Sequence, residues 1–271
     1  MDTPAWLMDG RVNIVCGDFE LDDASTINVG GCGYTPNSAD ANAGRAPGPG
    51  AGWQSGTGRI APSYGGWGSA ALSRFYPWIA PLIGAPYGSL AAPVQPGSAG
   101  GYGYSSSSIG SPGGGAVRIA ATGTVTVNGD ILADGGWGGT GAVAGGRCTG
   151  TGGAIWIDAG AVKGSGLLSA DSGAVDNSTM GSGGRISVTW NAALQDALDA
   201  QEGGTPALRF SARSKDNTNG TRSYGKPGTV YFTDARLLGA EFSPERGVSC
   251  GEVHCGDWSQ WNPQSLTVSN A

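Results

Sequence analysis

Two stretches of the chain share one pattern of apolar and polar positions. Residues 113–136 read GGGAVRIAATGTVTVNGDILADGG, and residues 152–174 read GGAIWIDAGAVKGSGLLSADSGA. Within each, apolar residues alternate with polar or small ones in short runs separated by glycine, which is typical of strands that bury one face. Ala116 aligns with Ala154 and Val125 with Val162, a period of 38 and then 37 residues. A fixed period of this length predicts stacked structural repeats.

Each repeat is predicted to contain three short strands, and the pattern extends beyond the two repeats. Residues 11–31 match the first repeat, with Phe19 and Leu21 in the places of Val125 and Val127. The predicted strands of the two repeats are residues 116–121, 124–127 and 131–133, then 154–158, 161–163 and 167–170. Residues 183–190 open a third repeat, and residues 208–212 and 229–232 are further strands. Residues 191–203 (NAALQDALDAQEG) predict one short surface helix with Asn191 as N-cap.

These strands are too short and too close together for helical crossovers, so we expect an all-β fold, a coiled parallel β-helix or β-solenoid. Stacking parallel strands about 4.8 Å apart would give the repeats a continuous apolar interior. The predicted core is Val117, Ile119, Val125, Val127, Ile131, Ile155, Ile157, Val162, Leu168, Ile186 and Val188.

A long insertion, residues 33–112, interrupts the repeats and is rich in Gly, Pro and Ser. It nevertheless contains ten aromatic residues, whereas disordered linkers are poor in aromatics. We therefore expect an ordered excursion that packs on the flank of the repeats.

Composition and net charge limit the classes of binding partner that we expect for this chain. Only 13% of the 271 residues are charged, and the net charge of −6 argues against nucleic acid or an anionic membrane as the main partner. No run of about 18 apolar residues exists, so membrane insertion is not expected. The 52 glycines lack the strict spacing of collagen, and nine Trp and eight Tyr argue against disorder.

The five cysteines predict two short-range disulfides in an oxidising compartment, Cys16–Cys32 and Cys250–Cys255, with Cys148 unpaired. A metal site at Cys250, His254 and Cys255 is a weaker alternative, because a local fourth ligand is missing.

Asp134 and Asp171 occupy equivalent positions in successive repeats, just before Gly-rich turns. The favoured interpretation is that each carboxylate accepts backbone N–H bonds at a strand-to-turn junction. Coordination of Ca²⁺ is the second interpretation, and paired carboxylates for glycoside hydrolysis are the third. No other cofactor is expected.

Enzymatic alternatives have few candidate residues. A polysaccharide lyase would need a base and a cation that neutralises the uronate carboxylate, for which Arg118, Arg185, Lys163 and Tyr64 are available. The single histidine, His254, lies outside the repeats, which makes a Ser–His–Asp triad improbable.

Aromatic side chains point to a carbohydrate partner, because sugars stack their apolar faces on exposed rings. The predicted ligand-binding residues are Trp53, Tyr64, Trp67, Asp134, Trp137 and Asp171. In this prediction Trp53, Tyr64 and Trp67 of the insertion meet the turn that contains Asp134 and Trp137. The alternative is that these rings only fill gaps beside Gly-rich turns.

A series of short Gly-rich motifs runs along the chain. SYGGWG (63–68), APYGSL (85–90), PGSAGG (96–101), GGGAVRI, GGAIWIDAG, GGRISVTW and PGTVYF (227–232) occur in this order. Together, over roughly residues 10–235, they resemble the Gly-rich, adhesin-like parallel β-helix domains of bacterial cell-surface and secreted multidomain proteins. The resemblance implies a right-handed solenoid, an extracellular location and no settled catalytic residues.

From these observations we expect one solenoid domain, residues 1–237, and a Cys-containing tail, residues 238–271, that begins a following domain of a longer polypeptide. The expected function is a non-catalytic structural or adhesive module that contacts a polysaccharide or cell-surface glycan. A polysaccharide lyase or glycoside hydrolase is the first alternative. A self-associating or ice-contacting surface is the second.

Overall fold

A computed structural model describes most of the repeat region and parts of the insertion and tail. The described residues are 10–36, 53–55, 58–71, 83–101, 111–136, 148–174, 179–203, 205–215, 225–239, 241–242 and 251–256.

Short strands dominate the described residues, together with one α-helix. In chain order they are β1 (Arg11–Cys16), β2 (Phe19–Leu21), β3 (Thr26–Asn28), β4 (Trp53–Ser55), β5 (Gly58–Ile60), β6 (Ala70–Ala71), β7 (Ala116–Ala121), β8 (Thr124–Val127), β9 (Asp130–Leu132), β10 (Ala154–Ala159), β11 (Ala161–Lys163), β12 (Leu167–Ser169), β13 (Arg185–Trp190), α1 (Ala192–Glu202), β14 (Arg209–Ser211), β15 (Thr229–Phe232), β16 (Glu241–Phe242) and β17 (Glu252–Cys255). A 3-10 helix spans Ala235–Gly239.

Three parallel sheets enclose the core. Sheet A has six strands in the order β1-β7-β10-β13-β15-β17, sheet B has the order β11-β8-β2, and sheet C has the order β16-β14-β12-β9-β3. Three times in succession the chain adds one strand to sheet A, one to sheet B and one to sheet C. A fourth, antiparallel sheet, β4-β5-β6, lies within the insertion.

The register predicted from the repeats is confirmed. Ile155 pairs with Val117, Val162 with Val125 and Leu168 with Ile131. The predicted match of residues 11–31 to the first repeat is confirmed as well, because Phe19 pairs with Val125 and Leu21 with Val127. All eleven residues predicted for the core have no exposed surface.

The predicted fold class, an all-β right-handed parallel β-helix, is wrong. The parallel sheets are unequal, with six, three and five strands, and sheet B ends at β11 because a helix follows where its next strand would lie. The described fold is therefore a mixed one, in which parallel sheets are joined by helical as well as extended connections.

Helix α1 is an integral part of this fold as well as a surface element. The predicted N-cap is confirmed, because the Asn191 side chain accepts from the backbone amides of Ala193 and Leu194. Gly203 ends the helix in a left-handed conformation with φ 75°, which glycine adopts without strain. The buried position of the helix is Gln195, whereas Leu194 is exposed.

The predicted disulfide between Cys16 and Cys32 is wrong, because both cysteines are free. Cys32 lies against Gly10, at the amino end of β1, whereas Cys16 is the last residue of that strand. An extended segment from residue 10 to residue 16 spans about 20 Å, which is far beyond the reach of a disulfide. The side chains of Cys250 and Cys255 lie outside the described residues.

Candidate functional site

The outer face of sheet A provides a row of positions that crosses all six strands. In this row Arg11, Ala116, Ala154, Arg185, Thr229 and Glu252 occupy neighbouring positions. The two alanines leave room above the sheet, and the ring of Tyr64 packs there, fully buried. The Arg185 guanidinium carbon lies 5.6 Å from the centre of this ring.

The backbone around Tyr64 is fixed by bonds to distant parts of the chain. The Tyr64 amide donates to the Ser182 hydroxyl at 3.0 Å, and the Gly65 amide donates to the Gly183 carbonyl at 3.1 Å. Two residues further on, the Lys226 amide donates to the carbonyl of Trp67 at 2.7 Å. This anchoring leaves the Trp67 side chain at the surface with 50% of its area exposed.

Trp67 borders a groove of about 530 Å³. One wall comes from the insertion, including Trp67 and the exposed side chain of Leu90. The groove is also lined by charged and titratable side chains, namely Arg185, Lys226, Glu252 and His254. A concave site with an aromatic wall and a few polar groups is the usual form of a small-molecule or sugar site.

Arg185 is buried at the base of this groove, with 5% of its area exposed. Its guanidinium donates to the Tyr87 carbonyl at 2.9 Å, the Thr229 hydroxyl at 2.9 Å and the Tyr64 carbonyl at 3.4 Å. Burial lowers the pKa of the Arg185 guanidinium below its usual value, yet an arginine remains a cation at neutral pH. All three acceptors are uncharged.

The last strand of sheet A supplies the far side of the groove. Glu252 and His254 alternate with Val253 along β17, so their side chains share one face. The His254 Nε2 atom lies 3.4 Å from a Glu252 carboxylate oxygen. A carboxylate at this distance can orient an imidazole ring.

Asp134 and Asp171 belong to a second cluster at the end of sheet C. The Asp134 Oδ1 atom accepts from the Ser169 hydroxyl at 2.6 Å and from the Asp171 amide at 2.9 Å. One repeat later, the Asp171 Oδ1 atom accepts from the Ser211 hydroxyl at 2.6 Å and from the Arg213 amide at 2.8 Å. Both carboxylates thus accept a backbone N–H bond, as predicted, but the donor belongs to the next repeat and not to a local turn.

The remaining oxygens of these carboxylates are bonded to cations. The Asp171 Oδ2 atom accepts from the Arg213 guanidinium at 2.8 and 3.1 Å, and Lys215 donates to the Asp134 Oδ2 atom at 2.8 Å. Because every oxygen has a partner, the pair is suited to joining successive repeats. Among the described residues, no group of three or more His, Cys, Asp or Glu side chains could hold a metal ion.

The structure separates the predicted site residues into two places. In the first, Trp67 borders the groove and Tyr64 is buried next to it against sheet A; in the second, Asp134 and Asp171 lie in the sheet C cluster. The expected contact of the insertion with the Asp134 turn is not found for Tyr64 and Trp67, whose segment bonds to residues 182–183 and 226. Trp53 lies in β4, where its side chain is not described, and Trp137 lies outside the described residues.

Two residues considered for lyase chemistry have structural partners away from the groove. The Arg118 guanidinium lies 4.8 Å from the Trp156 ring centre and donates to the Asn13 side chain. Lys163 forms an exposed ion pair of 2.7 Å with Glu202. Only Arg185 and Tyr64 of the four candidates lie near the groove.

Sequence reasoning missed Lys226, Glu252 and His254 as groove residues. The signal that would have found the last two is a local repeat, because GTVYF at residues 228–232 recurs as GEVHC at residues 251–255. The structure pairs Val230 with Val253 and Tyr231 with His254. This alignment places His254 on a strand of sheet A.

Searches against family models, curated proteins and solved structures find no protein that this chain matches. In the described part of the chain, no helix has the length and apolar character needed to cross a bilayer.

Proposed function

We propose that the chain is a non-catalytic carbohydrate-binding module of a secreted or surface-exposed protein, and that the groove beside Trp67 is its binding site. The observation that carries the proposal is the half-exposed Trp67 indole, held by backbone bonds next to a wall of polar side chains. A large ring that a protein keeps exposed at a concave site offers contact area to a ligand.

Sugar chemistry suits these surroundings. The C–H face of a sugar ring can lie on an indole, while its hydroxyl groups need donors and acceptors at the edge. Lys226, Glu252 and His254 provide both kinds of group within the same groove. The backbone bonds that hold the Trp67 segment also favour binding, because a segment that is already anchored loses less entropy when a ligand arrives.

The bonding of Asp134 and Asp171, the two carboxylates considered for glycoside hydrolysis, also favours a non-catalytic function. Asp134 and Asp171 engage both oxygens in hydrogen bonds and ion pairs, so neither is poised to transfer a proton or attack a sugar. Since Cys16 and Cys32 are not bridged, the extracellular location depends on the sequence resemblance and the low charge content.

Binding to a panel of soluble polysaccharides, followed by titration calorimetry, tests the proposal. For a polysaccharide that binds, Trp67→Ala should weaken the affinity at least about tenfold, because loss of an aromatic anchor typically costs more than about 1.4 kcal/mol. The control is Leu194→Ala, which removes an exposed apolar side chain on α1. Absence of binding to the whole panel, or equal loss in both variants, would contradict the proposal.

A polysaccharide lyase is the second candidate, favoured by the His254–Glu252 contact next to Lys226 and Arg185. A base near a cation is the arrangement needed to abstract a proton beside a uronate carboxylate. Ultraviolet absorbance of an unsaturated product, lost in His254→Ala, would establish this activity in place of simple binding.

A further inference from the structure

We infer that the groove selects acidic polysaccharides, whose uronate carboxylate binds next to Arg185 and Lys226. The inference depends on the proposed carbohydrate function and adds the class of sugar. It starts from the charges that line the groove and from their partners.

Arg185 brings a buried positive charge to the site, and no carboxylate is hydrogen-bonded to it; Glu252, in the same row of sheet A, acts on it only through space. All of its hydrogen bonds go to the carbonyls of Tyr87 and Tyr64 and to the hydroxyl of Thr229. Buried cations in proteins are usually paired with an anion, since solvation by neutral dipoles compensates only in part for the loss of water. Glu252 therefore offsets the charge of Arg185 without pairing with it directly.

Lys226 adds a second positive charge to the groove. Within the described part of the chain its ammonium group forms no ion pair, whereas Lys163 and Lys215 each contact a carboxylate. The one carboxylate in the groove, Glu252, contacts His254 on its own strand. With two cations against one anion the groove is positive, although the whole chain carries a net charge of −6.

A uronate residue matches these features better than a neutral sugar. Its ring can lie on Trp67, and its carboxylate can accept charge-assisted hydrogen bonds from Lys226 while it is attracted by Arg185. Because hydrogen bonds between charged groups are stronger than those between neutral groups, an acidic glycan should bind about tenfold or more tightly than its neutral counterpart. The preference should weaken as salt concentration rises.

The test compares polygalacturonate, polymannuronate and hyaluronan with their carboxyl-reduced forms, which keep the backbone linkage and lose the charge. We expect at least one acidic polymer to bind about tenfold or more tightly than its reduced form. Lys226→Ala should remove most of that difference, whereas the charge-matched control Lys163→Ala should leave it unchanged. The test replaces Lys226 and not Arg185, because replacing Arg185 would also remove its hydrogen bonds to the carbonyls of Tyr64 and Tyr87.

The outcomes separate the two proposals. Equal binding of acidic and reduced polymers, or a preference that survives Lys226→Ala, would overturn the uronate inference while the carbohydrate function stands. If no polymer of either kind binds, the proposed function fails and this inference fails with it.

Discussion

At the scale of single residues, Tyr64 and Tyr87 show how the insertion is held on sheet A. Their ring centres are 4.7 Å apart, and the Tyr64 hydroxyl is buried with no hydrogen-bond partner among the described residues. The Tyr87 hydroxyl lies 3.1 Å from the Pro96 carbonyl and 2.8 Å from the Ser98 hydroxyl. Burial raises the pKa of both phenols above the ordinary value.

Because the Tyr87 hydroxyl has hydrogen-bond partners and the Tyr64 hydroxyl has none among the described residues, removing each hydroxyl should have a different effect on stability. Tyr64→Phe removes an unsatisfied buried hydroxyl and should leave the free energy of unfolding unchanged or raise it by about 1 kcal/mol at neutral pH. Tyr87→Phe removes satisfied bonds and should lower it by about 0.5–1.5 kcal/mol. Denaturant unfolding of both variants measures the effect, and a larger loss for Tyr64→Phe would contradict the packing described.

The raised pKa values also determine the response to alkaline pH. The folded state holds the phenol protons more tightly than the unfolded state, so the free energy of unfolding should fall as pH rises above about 10, where free tyrosine ionises. Tyr64→Phe should make that fall less steep. Unfolding curves at about pH 8 and about pH 11 provide the measurement, and equal slopes for variant and wild type would show that Tyr64 does not contribute.

At the scale of elements, α1 does part of what a strand of sheet B would do. The Gln195 side chain accepts from the Val162 amide at 2.7 Å and donates to the Val162 carbonyl at 2.9 Å. Both backbone groups face the edge of β11, where a neighbouring strand would otherwise bond to them. One side-chain amide thus completes the hydrogen bonding of an edge residue and attaches the helix.

Gln195→Ala should therefore lower the free energy of unfolding by about 1–3 kcal/mol, because it leaves buried polar groups of Val162 without partners. Amide hydrogen exchange at Val162 should accelerate, since its acceptor is lost. Gln201→Ala, on the exposed side of the same helix, is the control and should change neither measurement. An unchanged exchange rate at Val162 in Gln195→Ala would contradict the attachment.

The elements also show how far the sequence could predict the fold. Repetition gave the register, because residues at equal phases, such as Val117 and Ile155, face the same interior. Periodicity also predicted α1 as a short surface helix, but it did not indicate that Gln195 would be its buried residue. The choice of Gln195 depends on the polar edge of β11, a tertiary contact that no local pattern records.

At the scale of the whole molecule, glycines allow the turns between strands to lie directly against one another. A Cβ atom on Gly152 would lie 1.8 Å from the Ala170 carbonyl oxygen, so no side chain fits there. The groove depends on the same close packing, because Gly65 lies against the Gly184 carbonyl in the segment that presents Trp67. At these two positions glycine is therefore required by close backbone contact.

Gly152→Ala should destabilise the protein by more than about 3 kcal/mol, since backbone atoms would have to move. Gly17→Ala is the matched control, because no atom lies within 4 Å of the added Cβ, and its effect should stay within about 1 kcal/mol. Thermal and denaturant unfolding measure both. Similar stability in the two variants would show that the turns have room for side chains.

The candidate site was predictable only in part. Trp67 was identifiable as an aromatic residue in a long insertion, but its neighbours Lys226 and His254 lie about 160 and 190 positions later in the chain. Only the stacking of the repeats brings them together, and the insertion has no periodicity that would reveal where it packs. For the same reason, the sequence did not indicate that the segment of Tyr64 and Trp67 bonds to residues 182–183 and 226.

The anchoring of the insertion has a consequence for the order of events during folding. The Tyr64 amide bonds to a residue 118 positions away, and the Tyr64 carbonyl accepts from Arg185, 121 positions away. Closing such long loops is entropically costly and slow compared with stacking adjacent repeats. During synthesis β17, with Glu252 and His254, also emerges after every other strand described. We expect a nascent chain to possess its apolar interior before it is able to recognise a ligand.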